Sequence, residues 1–598
     1  VEIAGLKNRV MAQTTDSAGA SLNLERCREG MDQVIALEEQ IETLSEELAY
    51  TRRKTQYLKM MERNDYSTLM MPDPAIPADR KSRPVRWIIL AATFLIAALV
   101  SILGAALIDR ITEVTEEKPQ ESDKAWRWLL LAALAMATLG GVGLAIRYRL
   151  NLLFAIPLLV VVLLAVIYDF KQIFFLMIFC IPWSMQVELA GGNAMDFFSE
   201  PFMLLFLAVF FLQVLTGRQF KWKGKIYPFH LLIFLILFWT FLTTLTSHHV
   251  DRSIKFLFAK LWYFASFVYI AEKVFDKPKD VKRFFWTFTL PLLVVIVIIT
   301  LKHAAEGFSF EAAHNVPNPL FANGVGYSAT LALILPWVVL ARKWYSPKTL
   351  EWYFLNIGIF LVLVGILFAY KRGGWLITAA LPVIFILIQQ KLFDKFVYAA
   401  VIFALLAVGY LLYNNNYYYY APNYASTIWH EGDLSGHLNA TLDGTEISAA
   451  ERFYRWVAAK NMVTDMPIVG SGPSTFNQVY KEYADGAFRT YVSDNPEQST
   501  THNYFLMTFA EQGFPGGFLY IFLCLYMLLK GYNVYHKIQD PERRNILMMA
   551  MLGYITILFH SLLNEFIEID KEGPIFWMSL VLIHKSEIWH EESIKQTG

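Results

Sequence analysis

The chain has 598 residues, of which 56% are apolar and only 17% are charged. Soluble proteins carry about 25% charged residues, so this composition excludes an ordinary soluble protein and indicates a lipid environment. The 52 lysines and arginines equal the 52 aspartates and glutamates in number, and this balance argues against nucleic acid as a partner. Cys27, Cys180 and Cys524 lie far apart, which indicates neither a disulfide framework nor a cysteine metal site.

The first 85 residues are polar, and they contain no predicted span, signal peptide or lipidation motif. Apolar residues recur there at 3-4-3-4 spacing, in Val34, Leu37, Ile41, Leu44 and Leu48. This spacing predicts a short coiled coil, or a single amphipathic helix that packs on another element. We predict three regions: a polar coiled-coil and Pro-rich segment at 1–85, a transmembrane helix and linker at 86–125, and a membrane domain at 126–590.

Runs of about 20 apolar residues cross a bilayer, and such runs recur from residue 86 almost to the C-terminus. They predict an all-α, polytopic integral membrane protein with about 12–15 transmembrane helices. The predicted spans are 86–108, 128–146, 152–168, 172–190, 198–215, 229–246, 254–272, 284–301, 324–341, 352–370, 373–389, 395–413, 514–530, 546–563 and 573–584. Pro157 and Pro182 interrupt the third and fourth runs, so either of these could be re-entrant.

Basic residues in short loops stay on the cytoplasmic side of a membrane. Basic loops alternate along the chain with loops poor in lysine and arginine, and they fall near residues 218–225, 277–283, 342–348 and 543–544. This alternation predicts that the long loop at 413–501 faces outward, together with the turn at Lys371 and Arg372.

The predicted spans contain few ionisable residues, and Lys260 is the clearest exception. Transporters usually place charged residues in the middle of their spans. The polar residues of this chain are concentrated in the outer loops instead. This distribution favours chemistry or binding at the membrane surface over transport.

The long outer loop contains a helix start in the motif E-R-F-Y-R-W, residues 451–456. Arg452 and Arg455 are three residues apart and share one helix face. Two guanidinium groups on one face suit a phosphate or diphosphate, because each donates paired hydrogen bonds and keeps its charge. The alternative is a pair of solvated arginines with Glu451 as an ion-pair partner.

Two further motifs lie close to the membrane. Gly470 and Gly472 belong to a Gly/Pro turn, D-M-P-I-V-G-S-G-P-S-T-F, which can bring backbone N–H groups to a ligand. His502, in T-T-H-N-Y-F-L, is placed where a neutral imidazole accepts a proton near neutral pH.

The basic turn K-R-G-G-W, residues 371–375, either contributes to the same site or anchors the chain to anionic lipid.

The order of these motifs resembles the O-antigen ligase and polymerase family: K-R-G-G-W between two helices, E-R-F-Y-R-W and the Gly/Pro turn in a long outer loop, then T-H-N-Y-F-L and E-Q-G-F-P-G-G. The resemblance implies a glycosyltransferase with the all-helical membrane fold of the GT-C kind. It implies a bacterial inner-membrane protein whose site faces the periplasm. The donor would be an oligosaccharide on undecaprenyl diphosphate, and the acceptor a glycan, a lipid A core or a protein.

The resemblance also assigns roles to residues. Arg372 and one or both of Arg452 and Arg455 would bind the diphosphate, and His502 would orient or deprotonate the acceptor hydroxyl. The other expected substrate-binding residues are Lys371, Glu451, Trp456, Gly470, Gly472, Asn503 and Tyr504. The reaction would proceed with inversion at the anomeric carbon.

No cofactor is expected, because arginines near the diphosphate oxygens can stabilise the leaving group without a metal. The competing interpretation is a divalent cation held by Glu568 and Asp570, an E-x-D pair that offers hard carboxylate oxygens.

Residues 1–115 resemble the C-terminal part of the polysaccharide copolymerases, which regulate chain length. That resemblance favours a polymerase over a ligase, and it predicts contact with polysaccharide assembly machinery. Two other functions remain open, a non-catalytic assembly factor and a transporter of lipid-linked sugars. The sugars, their linkage, the acceptor and the oligomeric state are not indicated by the sequence.

Overall fold

The computed structural model describes residues 170–189, 193–216, 227–422, 447–490, 493 and 499–597. The predicted coiled coil and the first three predicted spans, which end at residue 168, lie outside the described residues.

The described residues form helices and one hairpin. The helices before the long loop are α1 (Phe170–Trp183), α2 (Ser199–Thr216), α3 (Pro228–Leu245), α4 (Val250–Val274), α5 (Pro278–Ala305), α6 (Gly324–Ala341), α7 (Leu350–Phe368), α8 (Arg372–Gln389) and α9 (Phe393–Leu412). The later helices are α10 (Ile447–Asp465), α11 (Phe476–Val479), α12 (Tyr504–Tyr535), α13 (Pro541–Ser561) and α14 (Glu572–Thr597). The hairpin pairs β1 (Met185–Leu189) with antiparallel β2 (Asn193–Phe197).

Eight helices in the described part of the chain are long and apolar enough to cross a membrane, namely α3 to α9 and α12. Their outward faces carry exposed apolar side chains, such as Phe360, Phe403 and Leu406, which are 65%, 74% and 68% exposed. Apolar side chains on the outside suit lipid, whereas water would disfavour them. These helices confirm the prediction of an all-α, polytopic membrane protein.

Helix α6 lies at the centre of the bundle and is the most buried of the eight. It packs against α7, α8 and α13. Its first turn is capped by Asn323, whose Oδ1 accepts hydrogen bonds from the N–H groups of Val325 at 2.9 Å and Gly326 at 3.1 Å. Such a cap contributes about 1 kcal/mol.

The predicted span at 172–190 is wrong in its second half. Helix α1 ends at Trp183, and Met185–Leu189 pairs with Asn193–Phe197 as the two strands of the hairpin. Gln186 and Glu188 alternate with apolar neighbours in M-Q-V-E-L, and this period of two is that of a strand. The predicted span therefore joined two elements: a helix up to Trp183 and a strand from Met185 onward, where the pattern changes to a period of two.

The predicted span at 514–530 begins too late. Helix α12 begins at Tyr504, and Asn503 caps it by accepting a hydrogen bond from the N–H group of Leu506 at 3.0 Å. Gly513 interrupts the helix with φ 66° and ψ −174°. The motif E-Q-G-F-P-G-G therefore lies at a break inside α12 rather than at its start.

Several loops meet at one end of the bundle, which we call the site end: residues 245–250, 305–324, 368–372, 412–422, 447–490, 493, 499–504 and 561–572. The backbone N–H of His248 donates to the carbonyl of Ser471 at 3.0 Å. The Tyr370 hydroxyl donates to the carbonyl of Phe308 at 3.0 Å. These bonds join loops that are distant in sequence.

The opposite end, which we call the basic end, consists of residues 274–278, 341–350, 389–393 and 535–541. Lys282 forms an ion pair with Glu542 at 2.6 Å, and the indole of Trp589 donates to the carbonyl of Asp276 at 2.9 Å. The lysine- and arginine-rich loops of the described chain therefore gather at one end, as the alternation of basic loops predicts.

Candidate active site

The segment Thr500–Asn503 is held in place by the carboxylate of Glu565. Its Oε2 accepts a hydrogen bond from the Thr500 hydroxyl at 2.7 Å. Its Oε1 accepts from the Thr501 hydroxyl and from the backbone N–H of Asn503, each at 3.1 Å. Hydrogen bonds to a charged group are the stronger kind, about 1.5–3 kcal/mol each. Glu565 therefore fixes the backbone on both sides of His502.

His502 occupies the left-handed backbone region, with φ 50°. This conformation is uncommon for a residue other than glycine, and it costs on the order of 1 kcal/mol. Here it is imposed by the bonds to Glu565 on either side. Because of this left-handed turn, the imidazole points in a different direction from the one it would take in an extended segment.

Helix α10 contributes the two arginines. Arg455 is buried, and its guanidinium donates from Nη1 to the carbonyl of Thr500 at 3.2 Å and from Nη2 to Glu451 at 3.3 Å. Arg452 lies half-buried three residues earlier on the same helix. The Trp456 indole donates to the carbonyl of Thr501 at 2.9 Å. Helix α10 is thus tied directly to the segment that carries His502.

Glu451 is occupied by protein partners. Its Oε1 accepts hydrogen bonds from the hydroxyls of Thr490 and of Ser493, the latter at 2.6 Å, and its Oε2 faces Arg455. This carboxylate organises the outer loop around α10. The sequence predicted that Glu451 binds substrate. Its contacts with Thr490, Ser493 and Arg455 explain the residue without a substrate.

The charges around His502 set its protonation state. Burial and the positive charges of Arg455 and Arg452 lower the pKa of His502 to about 4, against a hydrogen bond to the Asn564 side chain that acts in the opposite direction. The imidazole is therefore neutral at pH 7, and the same low pKa makes it a weaker base than an ordinary histidine. The structure brings His502 close to both arginines of α10.

Lys371 and Arg372 lie at the start of α8. Burial and the adjacent charge of Arg372 lower the pKa of Lys371, and burial and the charge of Lys371 lower the pKa of His314. A Cβ atom placed on Gly324 would lie 3.1 Å from Lys371 Cε, so the lysine stem packs on the start of α6. This arrangement produces a cationic patch at the site end.

The turn 560–565 links this patch to His502. A Cβ atom on Gly373 would lie 3.4 Å from Leu563 Cδ1 and 3.7 Å from His560 Cε1. Asn564, the next residue along the turn, lies close enough to the His502 ring to raise its pKa, and His502 Nε2 lies 3.2 Å from the Ser499 hydroxyl. Arg372 and His502 therefore belong to loops that contact the same short turn.

The close packing of α8 against α6 explains part of the motif K-R-G-G-W. A Cβ atom on Gly374 would lie 2.1 Å from Ser328 Oγ. A larger residue here would displace the Ser328 hydroxyl from its present position, and small residues of this kind let membrane helices approach closely. The glycine pair thus sets the position from which Arg372 projects.

The Gly/Pro turn at residues 467–476 packs on α12. Glu511 accepts hydrogen bonds from the N–H groups of Ser474 at 2.8 Å and Phe476 at 2.9 Å. The N–H of Gly472 donates to the carbonyl of Glu511 at 2.9 Å. A Cβ atom on Gly470 would lie 2.3 Å from the Glu511 carbonyl carbon. Gly470 and Gly472, expected to bind a ligand, are thus explained by contact with α12.

The E-x-D pair is divided between two lysines. Glu568 Oε1 accepts from Lys260 Nζ and from the Tyr504 hydroxyl, each at 2.5 Å. Asp570 faces Lys571 Nζ at 3.2 Å. Carboxylates that neutralise separate lysines are poorly arranged to share a cation. Tyr504, expected to bind substrate, and Asn503, which caps α12, likewise have internal partners.

Sequence reasoning missed Glu565, Asn564 and Glu511. Each is an ordinary acidic or amide residue near a helix end, and no local pattern separates it from a solvated one. Its importance comes from partners 35–65 residues away in the chain.

Residues 357–521 match the family model described as O-antigen ligase. The match begins in α7, ends in α12, and contains Arg372, Arg452, Arg455 and His502. No curated protein matches the chain. Since the match leaves the N-terminal segment uncovered, the likeness of residues 1–115 to the copolymerases has no support from it. The match supports the resemblance to the O-antigen ligase and polymerase family, and with it a membrane enzyme of polysaccharide assembly.

Proposed function

We propose that this protein transfers an oligosaccharide from an undecaprenyl-diphosphate-linked donor to a hydroxyl acceptor, at the outer face of the bacterial inner membrane. The observation that carries the proposal is the neutral imidazole of His502 beside the guanidinium groups of α10. A proton acceptor next to fixed cations is what the displacement of a diphosphate by a hydroxyl requires.

The reaction follows from those groups. An acceptor hydroxyl oxygen attacks the anomeric carbon from the face opposite the leaving group, so the configuration inverts. The bond between that carbon and the diphosphate oxygen breaks, and the electron pair leaves with the diphosphate. The hydroxyl proton passes to the His502 imidazole. Arg372 and Arg452 stabilise the negative charge that develops on the diphosphate.

The role that we propose for Arg455 differs from that of Arg372 and Arg452, which bind the diphosphate. Its two terminal nitrogens bond to Thr500 and Glu451, so it acts as a positioning residue for the His502 segment. Its charge also keeps His502 unprotonated. The sequence left Arg452 and Arg455 equivalent, and the contacts of Arg455 with Thr500 and Glu451 support the positioning role that we propose for it.

An aromatic surface next to His502 suits the glycan. Tyr420 stacks on Phe453 with ring centroids 5.8 Å apart, and Phe453 lies 5.3 Å from Trp456. Trp456 in turn bonds to Thr501. Aromatic faces bind sugar rings through their apolar sides. We assign this run to the oligosaccharide, close to the place where its hydroxyl or anomeric carbon reacts.

The test uses the purified full chain and an undecaprenyl-diphosphate-linked oligosaccharide. Release of undecaprenyl diphosphate reports transfer, and a gel displays the glycan products. His502→Ala should reduce donor turnover by about 10²–10⁴-fold, the usual contribution of a general base. His248→Ala is the matched control, since His248 is an exposed histidine at the site end.

The products separate the two activities that share this chemistry. A ladder of repeats from donor alone indicates a polymerase, and turnover that requires a separate acceptor indicates a ligase. Full donor turnover by the His502→Ala variant would contradict the proposal.

A further inference from the structure

Three side chains at the other end of the bundle form a cluster that the proposed reaction does not use. His230 lies in the first turn of α3, Glu272 in the last turn of α4, and His584 near the middle of α14. His230 Nε2 lies 2.9 Å from Glu272 Oε2, and His584 Nε2 lies 3.6 Å from Glu272 Oε1. The three candidate ligand atoms all lie within 4.8 Å of one another.

His584 is the unusual member of the cluster. Its side chain is 0% exposed, and neither ring nitrogen has a hydrogen-bond partner among the described residues. A buried polar group without a partner costs about 1–3 kcal/mol, so native structures rarely leave one. The carboxylates that face this ring are just beyond hydrogen-bond distance. The buried ring thus lies between two carboxylates, at 3.6 Å from Glu272 and 3.8 Å from Glu587, without a direct hydrogen bond to either.

The spacing fits a metal ion. Ligand atoms around a tetrahedral zinc ion lie about 3.4 Å apart, given bonds of about 2.1 Å. His230 Nε2 lies 2.9 Å from Oε2 of Glu272 and His584 Nε2 lies 3.6 Å from Oε1, so each histidine approaches one of the two carboxylate oxygens, and one ligand atom from each of the three residues lies within 4.8 Å of the others. Two imidazole nitrogens and one carboxylate oxygen match the three-ligand sites that zinc and similar transition metals occupy, whereas magnesium and calcium prefer oxygen alone.

A second carboxylate lies behind the buried histidine. Glu587 Oε2 is 3.8 Å from His584 Nδ1, and Lys530 Nζ holds the same carboxylate oxygen at 2.6 Å. Metal-bound histidines commonly have a carboxylate at the nitrogen that does not bind the metal, because it fixes the ring orientation. His230 and Glu272 are 25% and 26% exposed, which leaves the ion a route from solvent.

We propose that His230, Glu272 and His584 bind one divalent transition-metal ion of the zinc type at the basic end. Glu272 is twelve residues from Lys260 on the same helix, a separation of about 18 Å at 1.5 Å per residue. The ion is therefore separate from the reacting groups and from Glu568 and Asp570. It cross-links α3, α4 and α14, and its role is to hold these helices together.

The experiment measures metal content and stability. The full chain is purified in detergent through a tag without histidines, stripped with a chelator, incubated with zinc chloride and separated from free metal. Mass spectrometry of the metal should give about one zinc ion per chain. The variants His230→Gln and Glu272→Gln should bind zinc at least about tenfold more weakly. His590→Gln, on the same helix α14 as His584, is the matched control and should bind like the unmodified chain.

Two further measurements keep the outcome decisive. Cobalt chloride should produce visible absorption bands in the unmodified chain that zinc then abolishes, as expected for a nitrogen and oxygen site. Zinc should raise the unfolding temperature of the unmodified chain and of His590→Gln, and leave that of Glu272→Gln unchanged. If the folded, unmodified chain binds no zinc, or if both ligand variants bind it as tightly, the proposal is overturned. Neither readout depends on glycosyl transfer.

Discussion

Arg455 donates a hydrogen bond to the backbone carbonyl of Thr500, at 3.2 Å. This bond joins helix α10 to the segment that carries His502, two residues further along. The same guanidinium lowers the pKa of His502 through its charge. Arg455 therefore holds the segment that carries the imidazole and adds to the effect of burial in lowering its pKa.

The pH dependence should report those charges. The pKa of His502 is about 4, so the imidazole is protonated, and inactive as a base, only below that pH. Replacing Arg452 by Gln removes a cation, which makes the protonated form easier to reach and raises the pKa. We expect the acid limb of the kcat/KM profile for donor turnover to move up by about one pH unit.

Arg452→Lys keeps the charge and serves as the control for that shift. Its acid limb should stay near that of the unmodified enzyme, although its kcat falls because lysine cannot bind a diphosphate with paired hydrogen bonds. Identical acid limbs in the Gln and unmodified proteins would show that Arg452 lies too far from His502 to act on it.

Glu565→Gln should lower kcat with little change in the KM for donor. The amide has one acceptor oxygen and no charge, so it cannot hold Thr500, Thr501 and Asn503 together. A loss of about 3 kcal/mol in positioning corresponds to about a hundredfold in rate. Steady-state kinetics on Glu565→Gln, with the exposed loop residue Glu482→Gln as control, measures this. Equal kcat values in the two variants would remove Glu565 from the site.

Gly513→Ala should destabilise the protein. Gly513 has φ 66°, and a Cβ atom there would lie 2.1 Å from the Ile468 carbonyl oxygen. The strain and the clash together should cost at least about 2 kcal/mol. Gly409→Ala is the matched control, because a Cβ atom at Gly409 in α9 meets nothing within 4 Å. Thermal unfolding in detergent should show a lower midpoint for the first variant alone.

Lys260→Met should also destabilise the protein, and a second change should restore part of the loss. Lys260 is 6% exposed and pairs with Glu568, so its removal leaves a carboxylate poorly compensated. Breaking a fully buried ion pair costs about 3–5 kcal/mol. Glu568 is 21% exposed, so water screens part of its charge. We therefore expect a smaller loss of stability here, about 2 kcal/mol. Lys260→Met with Glu568→Gln should be more stable than Lys260→Met alone. Additive losses in this double-mutant cycle would mean that the two residues do not interact.

The membrane helices were predictable because the length and hydropathy of a span are local properties of the sequence. Grouping His502 with Arg452 and Arg455 required only the order of short motifs. The hairpin at residues 185–197 was not predicted, because an apolar run with a proline obscures its period of two. The partners of Glu565 and Glu511 were beyond reach, since they depend on which loops meet once the helices have packed.

Lys260 shows why a charged residue inside a span needs its partners before it can be interpreted. From sequence it reads as a membrane-interface anchor or as a transport residue. In the fold it neutralises Glu568 and bonds to Tyr504. Lys260 therefore has a structural role, which is to pair with Glu568 in the loop between α13 and α14.

Glu565 also determines how the chain can be divided. It lies between α13 and α14, beyond residue 521 where the family match ends. A fragment cut at that boundary would keep Arg372, Arg452 and His502, yet it would lose the carboxylate that holds the His502 segment. We therefore expect a fragment that ends at residue 521 to transfer glycan much more slowly than the full chain, if it folds, because it lacks the residue that positions His502.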